Sequence, residues 1–333
     1  MKKVKWGILG VAKIGVEKVI PALQGGKYSS VVAIASRSPG KARAAAKKLG
    51  IPRAHGSYED LLADPDVEAV YTPLPNHLHV PWSIRAARSG KHVLCEKPIA
   101  LSAKESRSLL RARERTGVLI QEASMVRTHP QWLAAQELVR RKKLGQLRVV
   151  QGCFSYFNRD AKNVRNTVAT GGGGLFDIGY YPITAARFFF EEEPKRVLGL
   201  LDRDPKFKTD RLTSAILHFS QGHAVFTCST QLVRYQRLEL LGTQGRIEMP
   251  FPFTPPNNHS CRLLLDDGSG VQGEGGETFV FDPCDQYRIQ GDLFSKAIRD
   301  GTGALVPLED AVKNMAVIDA LFRSGKSGKW EKP

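Results

Sequence analysis

Residues 91–98 of the chain read KHVLCEKP, and this stretch predicts where the first sheet places its functional edge. The apolar residues Val93 to Cys95 are typical of a buried strand, and Pro98 ends it because proline has no N–H for a sheet ladder. Ligands of open α/β sheets bind beyond the carboxyl ends of the strands, so Lys97 is a candidate functional residue. A solvated lysine at the end of a strand is the alternative that this stretch leaves open.

The composition is typical of a globular protein without a membrane span. With 333 residues, of which 42% are hydrophobic and 25% charged, the chain is predicted to form about two domains. No run approaches the ~20 apolar residues of a membrane helix, and the N-terminus lacks the pattern of a signal peptide. The five scattered cysteines include no Cys-x-x-Cys pair. We therefore expect a cytoplasmic protein with reduced thiols, no zinc site and no membrane partner.

The net charge of +16 lies mostly in residues 1–124, which hold 21 of the 49 basic but only 10 of the 33 acidic residues. A nucleic acid or a smaller phosphorylated ligand would suit this charge, and a solvated basic surface without a partner is the remaining alternative. The basic residues are spread over predicted helices and turns without an aromatic-interleaved patch or a recognition-helix motif. We therefore expect no nucleic-acid partner.

A glycine-containing turn follows the first predicted strand, Val4 to Leu9. Residues 10–15 read GVAKIG, which is similar to the dinucleotide fingerprint G-x-G-x-x-G with Ala12 at the middle glycine. In that fingerprint the backbone approaches a pyrophosphate at the start of a helix. The candidate cofactor-binding residues of this turn are Gly10, Ala12, Lys13 and Ile14. Alone, an imperfect fingerprint is a weak signal.

The second predicted strand, Val31 to Ala35, ends where a dinucleotide-binding sheet recognises the adenosine ribose. An acidic residue at this place binds the ribose hydroxyls of NAD, whereas an arginine accommodates the 2′-phosphate of NADP. Arg37 lies 22 residues after the last glycine of the turn, beside Ser36 and one helical turn before Lys41. The pattern favours NADP and leaves NAD possible. A turn with Ser38 as the helix cap and an ordinary surface arginine is the alternative.

Strands alternate with helices up to about residue 124, which predicts a doubly wound parallel sheet. A polar turn with Pro75 and Asn76 follows one of these strands, and His77 and His79 come directly after it. Two histidines at this spacing could bind a metal, but no third ligand accompanies them. A turn or the start of a helix is therefore the favoured interpretation.

In the second half of the chain the regular alternation of strands and helices gives way to consecutive strands. This change predicts a first domain of residues 1–124 and a separate α/β domain of residues 125–333. A helix is predicted over 129–143, and the strands that follow alternate as in an open, mainly antiparallel sheet. The predicted strands are Leu147 to Phe157, Arg196 to Leu201, Leu212 to Phe219, Ala224 to Leu232, Leu238 to Leu241 and Arg246 to Met249. A polar break at residues 220–223 predicts a hairpin.

The last third of the chain is predicted to hold a loop and then helices. Pro250 to Glu277 is rich in Pro, Gly and Asn and predicts a long loop. Helices are predicted from Gln286 to Arg299 and from Leu308 to Arg323.

The second domain also holds a polar cluster, residues 171–181, which read GGGGLFDIGYY. The glycines predict a tight entry into a helix, and on an α-helix Asp177 and Tyr181 would share one face. A carboxylate beneath a phenol can orient a proton donor, and a phenol needs a nearby cation to act as a base at neutral pH. Lys97 would be that cation if the two domains face each other. A capped helix with a buried tyrosine is the alternative.

Residues 127–130, RTHP, open the second domain with further candidates. Arg127 and His129 could contact a substrate, or they could serve as helix caps.

The order of the motifs resembles the Gfo/Idh/MocA oxidoreductase family. The motifs on which this resemblance rests are residues 10–15, Pro75-Asn76-x-x-His79, Glu96-Lys97-Pro98 and Asp177-x-x-x-Tyr181. The likeness is strongest to the branch that contains glucose–fructose oxidoreductase, NADP-dependent D-xylose dehydrogenase and dihydrodiol dehydrogenase. Residues 163–165 and 127–130 resemble that branch too, which makes Arg165 and Arg127 candidate substrate-binding residues.

The resemblance implies a Rossmann domain, a C-terminal α/β domain with an open sheet, and a homodimer or homotetramer formed through the face of that sheet. It implies cofactor contacts from Pro75, Asn76, His79, Glu96 and Lys97. Lys97 would polarise the substrate oxygen. Tyr181 would donate or accept the proton, and Asp177 would orient the pair.

The activity that these features favour is hydride transfer between NADP(H) and a hydroxyl-bearing carbon of a small carbohydrate or cyclic diol. Two alternatives remain open. One is a reductase of a sugar-derived carbonyl, and the other is a regulator that binds the cofactor without catalysis.

Overall fold

The chain forms two compact units. The computed structural model describes residues 2–270 and 275–333, so Met1 and residues 271–274 of the predicted loop lie outside the described part. One unit comprises Met1–Met125 with Asp285–Val312, and the other comprises Val126–Cys284 with Lys313–Pro333. The predicted single division at residue 124 therefore needs a correction, because residues 285–312 pack with the first unit.

The first unit contains a six-stranded parallel sheet with the strand order β3-β2-β1-β4-β5-β6. The strands are β1 (Val4–Leu9), β2 (Ser29–Ala35), β3 (Arg53–His55), β4 (Ala69–Thr72), β5 (His92–Cys95) and β6 (Ile120–Glu122). This order places β1 and β4 side by side at the point where the chain reverses direction across the sheet. The predicted doubly wound parallel sheet is confirmed.

Nine α-helices occur in residues 2–270 and 275–333. They are α1 (Ile20–Gln24), α2 (Pro39–Leu49), α3 (Tyr58–Ala63), α4 (His79–Arg88), α5 (Ala103–Thr116), α6 (Pro130–Arg140), α7 (Tyr180–Phe190), α8 (Gln286–Asp300) and α9 (Leu308–Ser327). None of the helices in this described part is long and apolar enough to cross a membrane.

Serine caps start two of these helices, as their sequence patterns indicate. Ser57 accepts a hydrogen bond from the Asp60 N–H at 3.0 Å, and Ser102 accepts one from the Glu105 N–H at 3.2 Å. Ser38 occupies the N-cap position of α2 ahead of Pro39, as expected, but its side chain makes no capping hydrogen bond. Its own N–H donates to the Ser36 hydroxyl at 3.2 Å instead.

Helix α8 completes the core of the first unit. The indole of Trp6, which is fully buried in β1, donates to the Ser295 hydroxyl at 3.1 Å. The ring of Trp6 also lies 5.7 Å from that of Phe294. Residues nearly 290 positions apart in the chain therefore cover the same part of the sheet, which explains why residues 285–312 belong to this unit.

The second unit contains an eight-stranded sheet with the order β14-β13-β12-β11-β7-β10-β9-β8. The strands are β7 (Leu147–Phe157), β8 (Arg196–Arg203), β9 (Asp210–His218), β10 (His223–Ser229), β11 (Gln231–Gly242), β12 (Arg246–Met249), β13 (Cys261–Asp266) and β14 (Gly276–Phe281). All neighbours are antiparallel except β10 and β7. The predicted open, mainly antiparallel sheet is confirmed, as is the hairpin that pairs His218 with His223.

Two predictions for this sheet were wrong. The segment Pro250 to Glu277, predicted as a loop, contains β13 and the first residues of β14. The predicted strands Ala224 to Leu232 and Leu238 to Leu241 are divided differently, because β10 stops at Ser229 and β11 runs without a break from Gln231 to Gly242. Polar residues inside β11 concealed its continuity, since none of residues 231–237 is buried.

Candidate active site

The turn after β1 has the geometry of a dinucleotide-binding turn. Gly10 has a φ of +114°, and a Cβ there would lie 3.0 Å from a methyl carbon of Leu74. A side chain is therefore disfavoured at this position by both conformation and space. The following helix begins with the Val16 N–H donating to the Ala12 carbonyl at 3.0 Å and continues as a π-helical turn, Gly15–Val19. The segment that includes Lys13 and Ile14 thus forms a helix N-terminus beside the carboxyl end of β1, which suits a pyrophosphate.

Arg37 lies beside the hydroxyl of Tyr58, a residue that the sequence analysis missed. Burial raises the pKa of Tyr58, and the positive charge and hydrogen bonding of Arg37 oppose that shift. The same hydroxyl lies 3.8 Å from the position that a Cβ on Gly10 would occupy. Arg37, which is expected to select the cofactor, and Gly10, which is expected to let the cofactor approach the backbone, therefore lie near the same hydroxyl. Ser36 is buried at the base of this turn, and Lys41 is exposed in the first turn of α2.

The turn after β4 carries the next predicted cofactor residues. Pro75 and Asn76 are partly exposed, and Asn76 opens a short 3₁₀ turn, Asn76–Leu78. His79 is fully buried instead. Its Nδ1 lies 2.8 Å from the Pro98 carbonyl oxygen and its Nε2 lies 2.6 Å from the Leu74 carbonyl oxygen. Its side chain is thus engaged with the backbone on both sides, and the cofactor contact expected of His79 stays a prediction.

The His79 geometry also bears on metal binding. Both ring nitrogens face carbonyl oxygens, so neither is directed at a metal position shared with His77. Within residues 2–270 and 275–333, no group of three or more His, Cys, Asp or Glu side chains could hold a metal ion. The interpretation of this segment as a turn and helix start agrees with its structure.

Lys97 follows β5 on a backbone that is held on both sides. Its N–H approaches the Glu96 carboxylate at 3.3 Å, and that carboxylate accepts a hydrogen bond from the buried Tyr71 hydroxyl at 2.5 Å. Two residues later, the Ile99 N–H donates to the buried Glu122 carboxylate at 2.8 Å. The Lys97–Pro98 peptide bond is cis. The partly exposed Lys97 side chain thus starts from a fixed turn at the carboxyl edge of the sheet.

In the second unit, the glycine run permits close approach of the backbone to two neighbours. A Cβ on Gly172 would overlap the carbonyl of Arg165, and one on Gly173, which has a φ of +125°, would overlap the carboxylate of Asp210. Asp210 accepts a hydrogen bond from the Leu175 N–H at 2.6 Å, where the next helical turn begins. Burial raises the pKa of Asp210 to about 6. The predicted tight entry is therefore fastened by a carboxylate from β9 that the sequence analysis did not identify.

Asp177 lies in a π-helical turn, Leu175–Gly179, so the α-helical spacing assumed between Asp177 and Tyr181 does not apply. Its carboxylate accepts a hydrogen bond from the Tyr156 hydroxyl at 2.5 Å and lies 3.0 Å from the Nε of Arg165. Burial, together with the charge of Asp177, raises the pKa of Tyr156 far above its ordinary value. Tyr156 therefore stays protonated and serves as a donor to the carboxylate. The sequence analysis missed it, because it lies on β7, 21 residues away.

Tyr181 is held by aromatic rings at the start of α7. Its ring lies 5.5 Å from those of Phe154 and Phe253 and 5.4 Å from that of Tyr180, and only 4% of the residue is exposed. Phe253 belongs to the predicted loop. Its N–H donates to the Gln236 side-chain carbonyl at 3.1 Å, which ties this segment to β11. These aromatic contacts fix the orientation of the Tyr181 ring.

Arg127 and His129 have different environments. The guanidinium of Arg127 lies 4.7 Å from the centre of the Phe188 ring. His129 is a helix cap, because its Nδ1 accepts a hydrogen bond from the Gln131 N–H at 3.2 Å. Burial lowers the pKa of His129 to about 4, and its Nε2 lies 3.3 Å from the Cys284 sulfur. Of the two alternatives for His129, the structure favours the cap.

Comparison with known proteins shows the family to which the chain belongs. Residues 4–124 match the Gfo/Idh/MocA oxidoreductase family with its NAD-binding Rossmann fold, and residues 132–248 match the C-terminal domain of the same family. The chain therefore belongs to the Gfo/Idh/MocA oxidoreductase family, and the resemblance drawn from its motifs is confirmed. A nicotinamide dinucleotide is the cofactor of this class.

Several relatives and solved structures are similar to the chain over nearly its whole length. An uncharacterized oxidoreductase of Rhizobium meliloti is 48% identical over 99% of both chains, and a D-xylose 1-dehydrogenase (NADP(+)) of Haloferax volcanii is 38% identical over 97% of this chain and 98% of that one. The crystal structure of a 3-ketoreductase from Actinomadura kijaniata, in complex with TDP-benzene and NADP, covers 97% of this chain and 98% of its own at 29% identity, with a TM-score of 0.88. An aldose–aldose oxidoreductase from Caulobacter crescentus covers all of both chains at 28% identity, with a TM-score of 0.90.

Proposed function

We propose that the protein is an NADP-dependent oxidoreductase that transfers hydride between the cofactor and a hydroxyl-bearing carbon of a sugar or cyclic diol. The observation that carries this proposal is the position of Lys97, on a turn fixed by Glu96 and by the Ile99 N–H at the carboxyl end of β5. Ligands of doubly wound sheets bind at that edge.

The preference for NADP is supported by the group around Arg37. A guanidinium beside the Tyr58 hydroxyl and close to Gly10 offers a charged and a neutral donor where a ribose 2′-phosphate would be recognised. Ser36 and Lys41 add a hydroxyl and an ammonium to the same turn and helix. The xylose dehydrogenase relative is NADP-dependent, and the 3-ketoreductase was solved with NADP.

The proposed catalytic residues stabilise charge or transfer a proton. A bound nicotinamide supplies the acceptor or donor of the hydride. Lys97 stabilises the negative charge that develops on the substrate oxygen. Tyr181 donates or accepts the proton of that oxygen, and general acid–base help of this type contributes ~10²–10⁴-fold in rate. Asp177 keeps its proposed orienting role, and Tyr156 and Arg165 hold its carboxylate in place as a fixed negative group.

The direction of the reaction has a competing candidate. Among the relatives, several are named dTDP-3,4-didehydro-2,6-dideoxy-alpha-D-glucose 3-reductases, at 28 to 32% identity. The same residues serve both directions, since an acid in one direction is the base in the other. Reduction of a sugar-derived carbonyl is therefore the second candidate function, and a cofactor-binding regulator without catalysis is the third.

One experiment separates these functions. The protein is mixed with NADP⁺ and a panel of aldoses, polyols and cyclic diols, and with NADPH and a panel of keto sugars, while the absorbance of NADPH is recorded. Formation of NADPH with an aldose or diol supports the proposal, and consumption with a keto sugar alone supports the second candidate. Tight NADPH binding with no turnover in either panel would favour the regulator.

We further propose that the protein forms a homodimer or homotetramer through the exposed face of the second sheet. That face carries apolar side chains such as Leu200, which is 78% exposed, and Ile216. Around them lies a groove of about 610 Å³ formed by β7, β8, β9 and β10. A second copy would cover these apolar residues. Light scattering of the intact protein and of Leu200→Asp tests this, and a monomer in both cases overturns it.

A further inference from the structure

His79 connects two turns that lie at the carboxyl edge of the first sheet. It occupies the first position of α4 and is fully buried. One ring nitrogen lies 2.8 Å from the carbonyl oxygen of Pro98, directly after Lys97, and the other lies 2.6 Å from the carbonyl oxygen of Leu74, directly before Pro75. The ring is therefore in contact with the backbones of the turns after β5 and after β4.

The buried position limits what this side chain can do. With no exposed surface, the imidazole contacts no ligand directly, and both of its nitrogens already face oxygens. Its effect on a reaction must pass through the backbone atoms that it holds. A purely structural contribution to the core is the competing explanation.

The protonation of the ring decides which contact is a hydrogen bond. Burial lowers the pKa of His79 to about 4, and the nearby positive charge of Lys97 acts in the same direction, while the carbonyls of Pro98 and Leu74 oppose it. A neutral imidazole carries one N–H and so donates to only one carbonyl at a time. Nδ1–H donation to a backbone carbonyl is a common arrangement for a histidine that positions other groups.

We propose that His79 is a positioning residue that holds the Lys97 turn by donating from Nδ1 to the Pro98 carbonyl; the inference rests on the proposed role of Lys97. The Glu96 carboxylate before Pro98 and the Glu122 carboxylate after it also anchor this turn. His79 is the anchor that links the turn to the Pro75–Asn76 segment of the neighbouring strand. A displacement of about 1 Å at a reacting group costs ~10²-fold in rate.

Two substitutions separate the two contacts of the ring. In His79→Asn the side-chain amide nitrogen replaces Nδ1 and retains a donor for the Pro98 carbonyl. In His79→Gln it replaces Nε2 and retains a donor for the Leu74 carbonyl. We expect His79→Gln to lower kcat by about 10- to 100-fold, with little change in the dissociation constant of NADPH, and His79→Asn to stay within a few-fold of the wild type. A matched control is His92→Gln, which removes a histidine whose Nδ1 accepts the Leu119 N–H at 2.9 Å at the other end of β5.

Three results would overturn the inference. Equal losses of kcat in both variants, in step with their melting temperatures, would show a structural role only. The reverse order, with His79→Gln active and His79→Asn impaired, would place the important contact at Leu74. Wild-type kcat in both variants would remove the role altogether.

A double substitution distinguishes this inference from the proposed function. If His79 acts through Lys97, adding His79→Gln to Lys97→Met causes no further loss of turnover, because the group being positioned is already absent. A further independent loss overturns the inference and leaves the function standing. A near-normal rate in Lys97→Met alone contradicts the proposed function instead.

An NMR measurement tests the inference without a substrate, in case neither the aldose, polyol and diol panel nor the keto-sugar panel gives turnover. The lysines are reductively methylated with ¹³C, and the Lys97 resonance is assigned from its absence in Lys97→Met. His79→Gln should shift this resonance in the NADPH complex and His79→Asn should leave it near its wild-type position. An unchanged resonance in both variants contradicts the inference.

Discussion

The Tyr156 hydroxyl donates a 2.5 Å hydrogen bond to the same Asp177 oxygen that lies 3.0 Å from the Nε of Arg165. One oxygen of the carboxylate thus has a neutral donor and a charged donor. Since burial keeps Tyr156 protonated, its donation is maintained at neutral pH. Asp177 is therefore a fixed anion with a defined orientation, and this relationship can be tested without altering Asp177 itself.

Replacing Tyr156 by Phe should weaken catalysis and change its dependence on pH. The ionised Asp177 loses a donor that contributes ~1.5–3 kcal/mol, so kcat/KM should fall about tenfold or more and the acidic limb of the pH–rate profile should move to higher pH. Steady-state rates from pH 5 to 9 measure both effects. Tyr28→Phe, at the surface of the first unit, is the control. Loss of rate with an unshifted profile would contradict the role of this hydrogen bond.

Replacing Lys97 by Met should strongly lower turnover while the cofactor remains bound. The substitution retains the length of the side chain but removes the charge that stabilises the substrate oxygen, a loss of ~10²–10⁴-fold. Rates are compared with NADPH affinity from fluorescence titration. Lys104→Met, exposed in the first turn of α5, serves as the control. A Lys97→Met enzyme with a near-normal rate would exclude Lys97 as the catalytic residue.

Replacing Arg37 by Ala should weaken NADP⁺ binding selectively. Charge-assisted hydrogen bonds to a phosphate contribute ~1.5–3 kcal/mol, so the dissociation constant for NADP⁺ should rise about 10- to 100-fold while that for NAD⁺ stays nearly constant. Calorimetric titration with each dinucleotide gives both values. Arg43→Ala tests for general charge effects, since that arginine is exposed on α2, the helix that follows Arg37. Tighter binding of NAD⁺ than NADP⁺ by the wild type would overturn the assignment.

Replacing Gly173 by Ala should destabilise the second unit. The residue has a φ of +125°, and the new Cβ would overlap the Asp210 carboxylate, so a loss of ~2 kcal/mol or more is expected. Gly303→Ala is the comparison, because a Cβ at Gly303 meets no atom within 4 Å. Thermal unfolding followed by circular dichroism measures the difference. Equal melting temperatures for the two variants would disprove the steric argument.

Asp210 should make stability decrease as the pH rises from about 4 to about 6. Burial raises the pKa of Asp210 from 3.8 to about 6, so the folded protein binds this proton more tightly than the unfolded chain. The full penalty is reached above the folded pKa, and a shift of this size corresponds to ~3 kcal/mol. Asp210→Asn retains an acceptor for the Leu175 N–H without the charge. Its free energy of unfolding, relative to the wild type, should rise across this pH range, and a constant difference would refute the prediction.

The features that the sequence predicted correctly are those encoded over short distances. The turn at Gly10 and the strand that ends before Lys97 each depend on residue types within a few positions. Backbone conformation and local hydrogen bonds determine such features, so a single sequence is sufficient. The parallel sheet followed because strands and helices alternate regularly.

The features that the sequence did not predict depend on pairing between distant strands. Tyr156 and Asp210 reach the Asp177 segment because β7 and β9 both pair with β10, and no local pattern specifies that register. Phe253 packs on Tyr181 from a segment rich in proline, whose composition indicates only a loop. The π-helical turn at Leu175–Gly179 likewise arises from its surroundings, because its residues are compatible with an ordinary α-helix.

The packing of α8 against β1 has a consequence for how the protein is made. Phe294 and Ser295 supply the neighbours of Trp6, so the first sheet has its full cover only after nearly the whole chain has left the ribosome. A fragment that ends at residue 124 would expose the surface that buries Trp6 and should be prone to aggregation. Isolating the cofactor-binding half will therefore require residues 285–312 to be joined to it by a linker.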